Sequence, residues 1–172
     1  MKILFICSNL VGDTILSSGA INHFIDQNKE SKLTFVVGPT AAPLLKNYKN
    51  TENIIIFKKR KFNLHWFDIF QKTYSTNWDI VVDFRSSAIS YALRNKKKYI
   101  FKKNQNIHHI EQLNSSFGFN CSNLLIPTSD EEKNKVNDNL DSSFKHIVIF
   151  PGGNWTPKLW SADNFNETMK LL

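Results

Sequence analysis

Lys2-Ile3-Leu4-Phe5-Ile6-Cys7-Ser8-Asn9-Leu10-Val11-Gly12-Asp13 is the stretch whose reading decides the fold. Lys2 to Cys7 is an apolar run of strand length. Ser8 to Asp13 is a short turn, and Thr14 to Gln27 follows as an amphipathic helix. A strand that passes through a tight turn into a helix is the opening unit of an open α/β sheet. The turn then lies at the carboxyl end of the strand, where such sheets bind ligands. Asp13 is the carboxylate placed there.

Outward from this unit the pattern repeats. Strand-like runs at Lys32 to Val37, Asn53 to Phe57, Asp79 to Asp83 and Lys98 to Phe101 alternate with helical stretches at Ala41 to Asn47, Leu64 to Ser75, Ser86 to Arg94 and His108 to Phe117. This alternation predicts a doubly wound parallel sheet, an α/β Rossmann-like domain. Val81-Val82 and Ile54-Ile55-Ile56 are apolar at consecutive positions, as strands covered by helices on both faces must be. Phe62, Trp66, Phe67 and Phe70 fall at helical spacing, which predicts core packing. After the first strand there is no Gly-x-Gly-x-x-Gly dinucleotide fingerprint, and no Gly-Lys-Ser/Thr phosphate loop occurs.

The 172 residues suffice for one ordinary domain, and 41% of them are hydrophobic. With a mean hydropathy of −0.33 this is a globular composition. No apolar run approaches the ~20 residues that cross a bilayer. The apolar start is too short for a signal segment, and bulky Ile6 precedes Cys7 where a small residue would stand. Cys7 and Cys121 are the only cysteines; they have no metal-ligand spacing, which favours a reducing, cytoplasmic setting and near-core thiols. Net charge is +7, concentrated at Lys58-Lys59-Arg60-Lys61, Arg94 to Lys98 and Lys102-Lys103. Such clusters suit a polyanionic partner, or are simply solvated surface.

Ser129 with Glu132 forms a capping-box pattern, so Asp130 to Leu140 reads as a surface helix bridging two domains. His146 to Phe150 then reads as a new buried strand, Pro151-Gly152-Gly153-Asn154-Trp155-Thr156-Pro157-Lys158-Leu159-Trp160 as an anion-binding loop, and Ala162 to Leu172 as a helix. The expected organisation is a Rossmann-like domain with linker helix over residues 1–144 and the start of a second domain over 145–172. Trp160, Phe165, Met169, Leu171 and Leu172 would then leave an apolar patch uncovered.

Five motifs in order resemble the ADP-heptose:lipopolysaccharide heptosyltransferase family, glycosyltransferases built from two Rossmann-like domains (the GT-B fold, glycosyltransferase family 9). The Ser-x-x-Gly-Asp turn is met by Asn9-Leu10-Val11-Gly12-Asp13, with Asn9 at the serine position. Val37-Gly38-Pro39 with Pro43-Leu44-Leu45, Asp79 to Arg85, and His108 with Glu111 follow. The fifth motif is Pro-Gly-x-x-Trp-x-x-Lys-x-Trp at Pro151, Gly152, Trp155, Lys158 and Trp160. Phe150, Leu159 and Ser161 depart from the family's frequent histidine, arginine and proline.

The resemblance implies an inverting transfer of heptose, or a related sugar, from a nucleotide-diphosphate sugar to the lipopolysaccharide inner core. Asp13 falls on the family's proposed catalytic base, which removes the acceptor proton as the bond forms. The other reading is that Asp13 caps the following helix. Lys158 falls on a basic residue that neutralises the departing diphosphate, with Gly152, Gly153 and Thr156 beside it; the other reading is an ordinary turn. Lys58, Lys59, Arg60 and Lys61 fall in a loop that reaches toward the anionic acceptor and would also favour an anionic membrane surface. Arg85 either joins that cleft or pairs with Asp83. His108, His109 and Glu111 read as structural, having no third ligand at metal spacing.

The resemblance implies no metal and no other cofactor, only the donor ADP-heptose or another nucleotide sugar. The implied setting is cytoplasmic, peripheral to the cytoplasmic face of the inner membrane, with no nucleic acid as partner. Because it matches the amino-terminal half of the family, the chain alone is expected to have little or no transferase activity. A second reading is a non-catalytic acceptor-binding remnant, or one half of a split enzyme that needs a complementary carboxyl-terminal half.

Overall fold

The computed structural model describes residues 1–141, 143–152, 156 and 159–171. The chain divides into two compact units, Met1–Ser129 and Asp130–Leu172.

The first unit is a five-stranded parallel sheet. Its strands are β1 (Lys2–Ile6), β2 (Lys32–Val37), β3 (Thr51–Ile56), β4 (Trp78–Asp83) and β5 (Asn95–Ile100), in the order β3-β2-β1-β4-β5. The helices are α1 (Val11–Gln27), α2 (His65–Thr73), α3 (Ile89–Ala92) and α4 (His109–Phe117), with a 3-10 turn at Ala42–Leu45. Phe5 stands opposite Phe35 on one side and Val82 on the other, so β1 is the central strand.

Alternation along β1 sends side chains to both faces. Ile3, Phe5 and Cys7 join Ala20, Ile21 and Phe24 of α1 and Leu113 and Phe117 of α4 in one core. Leu4 and Ile6 join Ile69 of α2 and Ile89 of α3 in the other. The sheet is therefore covered on both faces, the Rossmann-like α/β arrangement the alternation predicts. Phe5 stacks on Phe35 at 5.2 Å and on Phe84 at 6.4 Å. Burying such a ring stabilises the fold by about 1.5–3 kcal/mol.

Some elements differ from the sequence reading. α1 begins at Val11 rather than Thr14, and its N-cap is Leu10, which has no side-chain acceptor. Asp13 thus sits inside the first turn and does not cap the helix. α3 is one turn long because Asp83 ties the chain into a turn at residues 85–87 before it re-enters the sheet at Asn95. Phe62 and Phe67 are not core residues: they are 93% and 60% exposed, whereas Trp66 and Phe70 pack against the core.

The second unit holds α5 (Asp130–Asn137) and α6 (Ala162–Lys170). Residues 146–150 form no strand, and Ile147, Val148 and Phe150 are exposed. A strand needs a neighbour to satisfy its backbone groups. α6 is capped by Ser161, whose hydroxyl accepts from the Asn164 N–H at 3.2 Å. Trp160, Met169 and Leu171 are exposed.

Candidate functional site

In a sheet of this order the chain leaves β1 toward β2 and leaves β4 toward β5, so the two loops diverge at the carboxyl ends of adjacent strands. A crevice opens there by construction. It is a cavity of about 520 Å³, walled by Ser8, Asn9, Leu10 and Asp13 after β1, by Phe84, Arg85 and Ser86 after β4, and by Phe101 and Lys103 after β5. Lys59 after β3 and His109 and Gln112 of α4 complete it.

Asp13 is half-buried in this wall. The Ser8 hydroxyl donates to its Oδ2 at 2.8 Å, and the Ser17 hydroxyl donates to its carbonyl at 2.8 Å. The negative charge in the first turn of α1 is favoured by the helix dipole. Asp13 lines the cavity, and the Ser8 bond occupies Oδ2 rather than Oδ1.

Arg85 is the most constrained cation of the site. Asp83, fully buried at the end of β4, accepts from the backbone N–H groups of Arg85 (2.8 Å) and Ser87 (2.7 Å) and from the Ser87 hydroxyl (2.6 Å). The carboxylate therefore holds the Arg85 backbone and not its guanidinium. The guanidinium lies 5.3 Å from the Phe57 ring centre and 5.2 Å from that of Trp66, and donates to Asn9 Oδ1 at 3.2 Å. Burial weighs against the guanidinium charge and lowers its pKa, while Asp83 and Asp13 offset part of this. Stacking fixes the plane of the fork, which suits a carboxylate or phosphate.

Asn9 is itself pinned. Its carbonyl accepts from Thr40 Oγ1 at 2.7 Å, and it lies against Gly38, where a Cβ would come within 2.6 Å of Asn9 Cα. Only glycine allows this approach, which accounts for the Val-Gly-Pro segment.

The basic run divides. Lys59 lines the crevice, whereas Lys58 and Arg60 line a separate small cavity of about 130 Å³. Arg60 is paired to Asp68 at 2.7 Å, and Lys61 is exposed in a 3-10 turn. Gly152 and Thr156 are exposed in the second unit, while Gly153 and Lys158 lie outside the described residues.

His108 caps α4, its Nδ1 accepting from the Ile110 N–H at 3.3 Å. His109, read from sequence as structural, instead forms part of the cavity wall, its ring 5.1 Å from Phe101. Burial lowers its pKa; Asp13 raises it in part and His108 lowers it further. Lys103, read from sequence only as part of a basic cluster, and Ser17 and Gln112, which carry no motif, also line the cavity. Their signal was positional: each falls just after a strand or early in a helix at the carboxyl edge of the sheet. Among the described residues no group of three or more His, Cys, Asp and Glu is placed to hold a metal ion. No helix there is long and apolar enough to cross a membrane.

Together these features define a doubly wound α/β domain with a carboxylate and three cations on one crevice. By sequence, the chain matches no protein-family model and no curated protein. By structure, it is similar to E. coli heptosyltransferase WaaC with ADP, at 16% identity and a TM-score of 0.68, over 100% of this chain and 64% of that one. It is similar to a family 9 glycosyltransferase from Veillonella parvula, at 16% identity and TM-score 0.66, over 96% and 58%. It is also similar to E. coli ADP-heptose lps heptosyltransferase II, at 15% identity and TM-score 0.67, over 99% and 61%. The chain thus has a heptosyltransferase-like glycosyltransferase fold and spans about two thirds or less of the length of these structures.

Proposed function

We propose that the chain carries the acceptor side of an inverting glycosyltransferase of the heptosyltransferase kind. The observation that carries this reading is one cavity holding both a positioned carboxylate, Asp13, and the cations Lys59, Arg85 and Lys103. The cations match an acceptor bearing sugar carboxylates and phosphates, as the lipopolysaccharide inner core does. Asp13, oriented by Ser8, accepts the proton of the acceptor hydroxyl as that oxygen attacks the anomeric carbon from the face opposite the leaving diphosphate. The bond from acceptor oxygen to the sugar forms, the bond to the diphosphate breaks, and the diphosphate leaves with its electron pair.

A nucleotide-sugar donor is supported by two similar structures of E. coli heptosyltransferase WaaC, one with ADP and one with ADP-2-deoxy-2-fluoro heptose. In this reading Gly152, Gly153, Thr156 and Lys158 serve the donor diphosphate, and no metal takes part. Residues 145–172 belong to the donor side. Peripheral contact with the cytoplasmic face of the inner membrane and a complementary carboxyl-terminal half complete the set of partners.

Amide resonances read during titration with a Kdo-containing, phosphorylated core oligosaccharide test this. Perturbations centred on Ser8 to Asp13, Arg85, Ser86 and Lys103 are expected. Perturbations elsewhere, or equal ones from a neutral oligosaccharide, would contradict it.

A further inference from the structure

The chain leaves β5 through Phe101-Lys102-Lys103-Asn104 and enters α4 at His109. Gln112 and Ser116 stand four residues apart on α4, which puts them on one face of the helix, one turn from each other. Both bond the backbone of this loop, on either side of Lys103. The Lys102 N–H donates to Ser116 Oγ at 2.8 Å, and the Ser116 hydroxyl donates to the Lys102 carbonyl at 3.4 Å. The Asn104 N–H donates to Gln112 Oε1 at 2.9 Å, and Gln112 Nε2 donates to the Ile107 carbonyl at 2.8 Å. The peptide units before and after the Lys103 Cα are therefore both tied to α4. Gln112 is 8% exposed, and burying an amide is costly unless its donor and acceptor are both matched. Only one orientation of the amide meets an N–H with its oxygen and a carbonyl with its nitrogen, so the loop itself fixes which way it points.

We propose that Gln112 is a positioning residue for acceptor binding: with Ser116 it sets the Lys103 backbone so that the ammonium group is presented to an acceptor carboxylate or phosphate in the crevice. Lys103 and Gln112 both line that crevice. Lys103 makes no ion pair among the described residues, so no carboxylate of the chain competes with a ligand for its charge. An exposed lysine that binds an anion loses freedom of both backbone and side chain. With the flanking peptides held by α4, the backbone part of that loss falls on folding and only the side-chain part on binding. Arg85 is held likewise on the β4 side, where Asp83 accepts from its backbone N–H. A glutamine that served only to close the loop would act on the fold and not on the anion through Lys103, and a double-substitution cycle separates the two roles. Methionine has nearly the length and volume of glutamine but neither polar group, so Gln112→Met removes both bonds without a cavity. The inference rests on the proposed function and deepens it by naming the group that places one of the crevice cations.

The test is calorimetric titration of the full chain with the Kdo-containing, phosphorylated core oligosaccharide, repeated with Gln112→Met, Lys103→Met and the two combined, and with Ser116→Ala as a milder change on the same face of α4. Lys103→Met is expected to weaken binding about tenfold, the share of one hydrogen bond to a charged group. Gln112→Met and Ser116→Ala are expected to weaken it about three- to tenfold. In the Lys103→Met background neither is expected to weaken it further, because residues that act through one group do not add. Urea unfolding reads the loop's share of stability apart from binding, and if Gln112→Met does not fold, Ser116→Ala carries the same comparison. Binding that Gln112→Met and Ser116→Ala leave unchanged, or weaken as much without Lys103 as with it, would overturn the inference and leave the proposed function standing. A wild-type chain that does not bind the oligosaccharide would overturn the proposed function, and with it the role given to Lys103.

Discussion

The Ser8 hydroxyl donates to Asp13 Oδ2 at 2.8 Å across the turn that joins β1 to α1. This bond fixes one carboxylate oxygen of a residue that lines the cavity. A hydrogen bond to a charged group contributes about 1.5–3 kcal/mol. If Asp13 is the base of the proposed transferase, Ser8→Ala is expected to slow sugar transfer about tenfold or more, with acceptor affinity little changed. Asp13→Asn is expected to abolish transfer while acceptor binding persists. Steady-state kinetics of the enzyme assembled with its donor side, alongside calorimetry, read the two effects apart; loss of acceptor binding in Asp13→Asn would contradict the base role.

Two glycines are held by close approach rather than by turn geometry. A Cβ on Gly19 of α1 would stand 1.8 Å from the Cys121 carbonyl oxygen, backbone that cannot swing aside. Gly19→Ala is expected to cost at least about 1–3 kcal/mol, as overpacking does, measured by urea unfolding. Gly38→Ala is expected to displace Asn9, release the Arg85 fork and weaken acceptor binding more than it weakens the fold. Unchanged unfolding midpoints for Gly19→Ala would show that α1 sits elsewhere.

His65 is buried, stacked on Phe57 at 5.5 Å, and its Nε2 has no partner. Burial lowers its pKa, with Arg85 and Lys59 lowering it further and Asp68 opposing. The folded state then binds fewer protons than the unfolded one once the pH falls below the unfolded value of about 6.5. Stability is complete above that value and declines as the pH falls toward the folded pKa. His109 acts in the same direction. Melting temperature is expected to drop between pH 7 and pH 5, and to drop less in His65→Phe. An equal drop in both proteins would contradict this.

Burial pushes the Cys121 thiol up to about 11, and burial with Asp83 nearby pushes Cys7 up as well. Neither is expected to react with a thiol reagent at pH 8 while the chain is folded, and both are expected to react once it is unfolded. Rapid labelling of the native chain would place at least one thiol at the surface.

The sheet was legible because its strands are apolar on both faces and its helices carry apolar stripes; Ile3 to Cys7 and Val81-Val82 have few other uses. Asp13 was legible from its place at the end of β1. Its role in the first turn was misread because Leu10, a residue with no capping group, begins the helix. Phe62 was misplaced into the core because helical spacing does not report the left-handed turn that points it outward. Residues 146–150 have strand composition but pair with no strand among the described residues, and pairing is not a local property. His109 escaped because its place depends on α4 reaching back over the crevice, which spacing alone does not show.

The most direct test of the central claim is calorimetric titration of this chain with the Kdo-containing, phosphorylated core oligosaccharide, repeated with Arg85→Lys and Arg85→Gln. Binding weakened about tenfold or more in both variants is expected, since lysine restores the charge but not the stacked fork. Binding that survives both substitutions unchanged would contradict an acceptor site built on the Asp13 and Arg85 crevice.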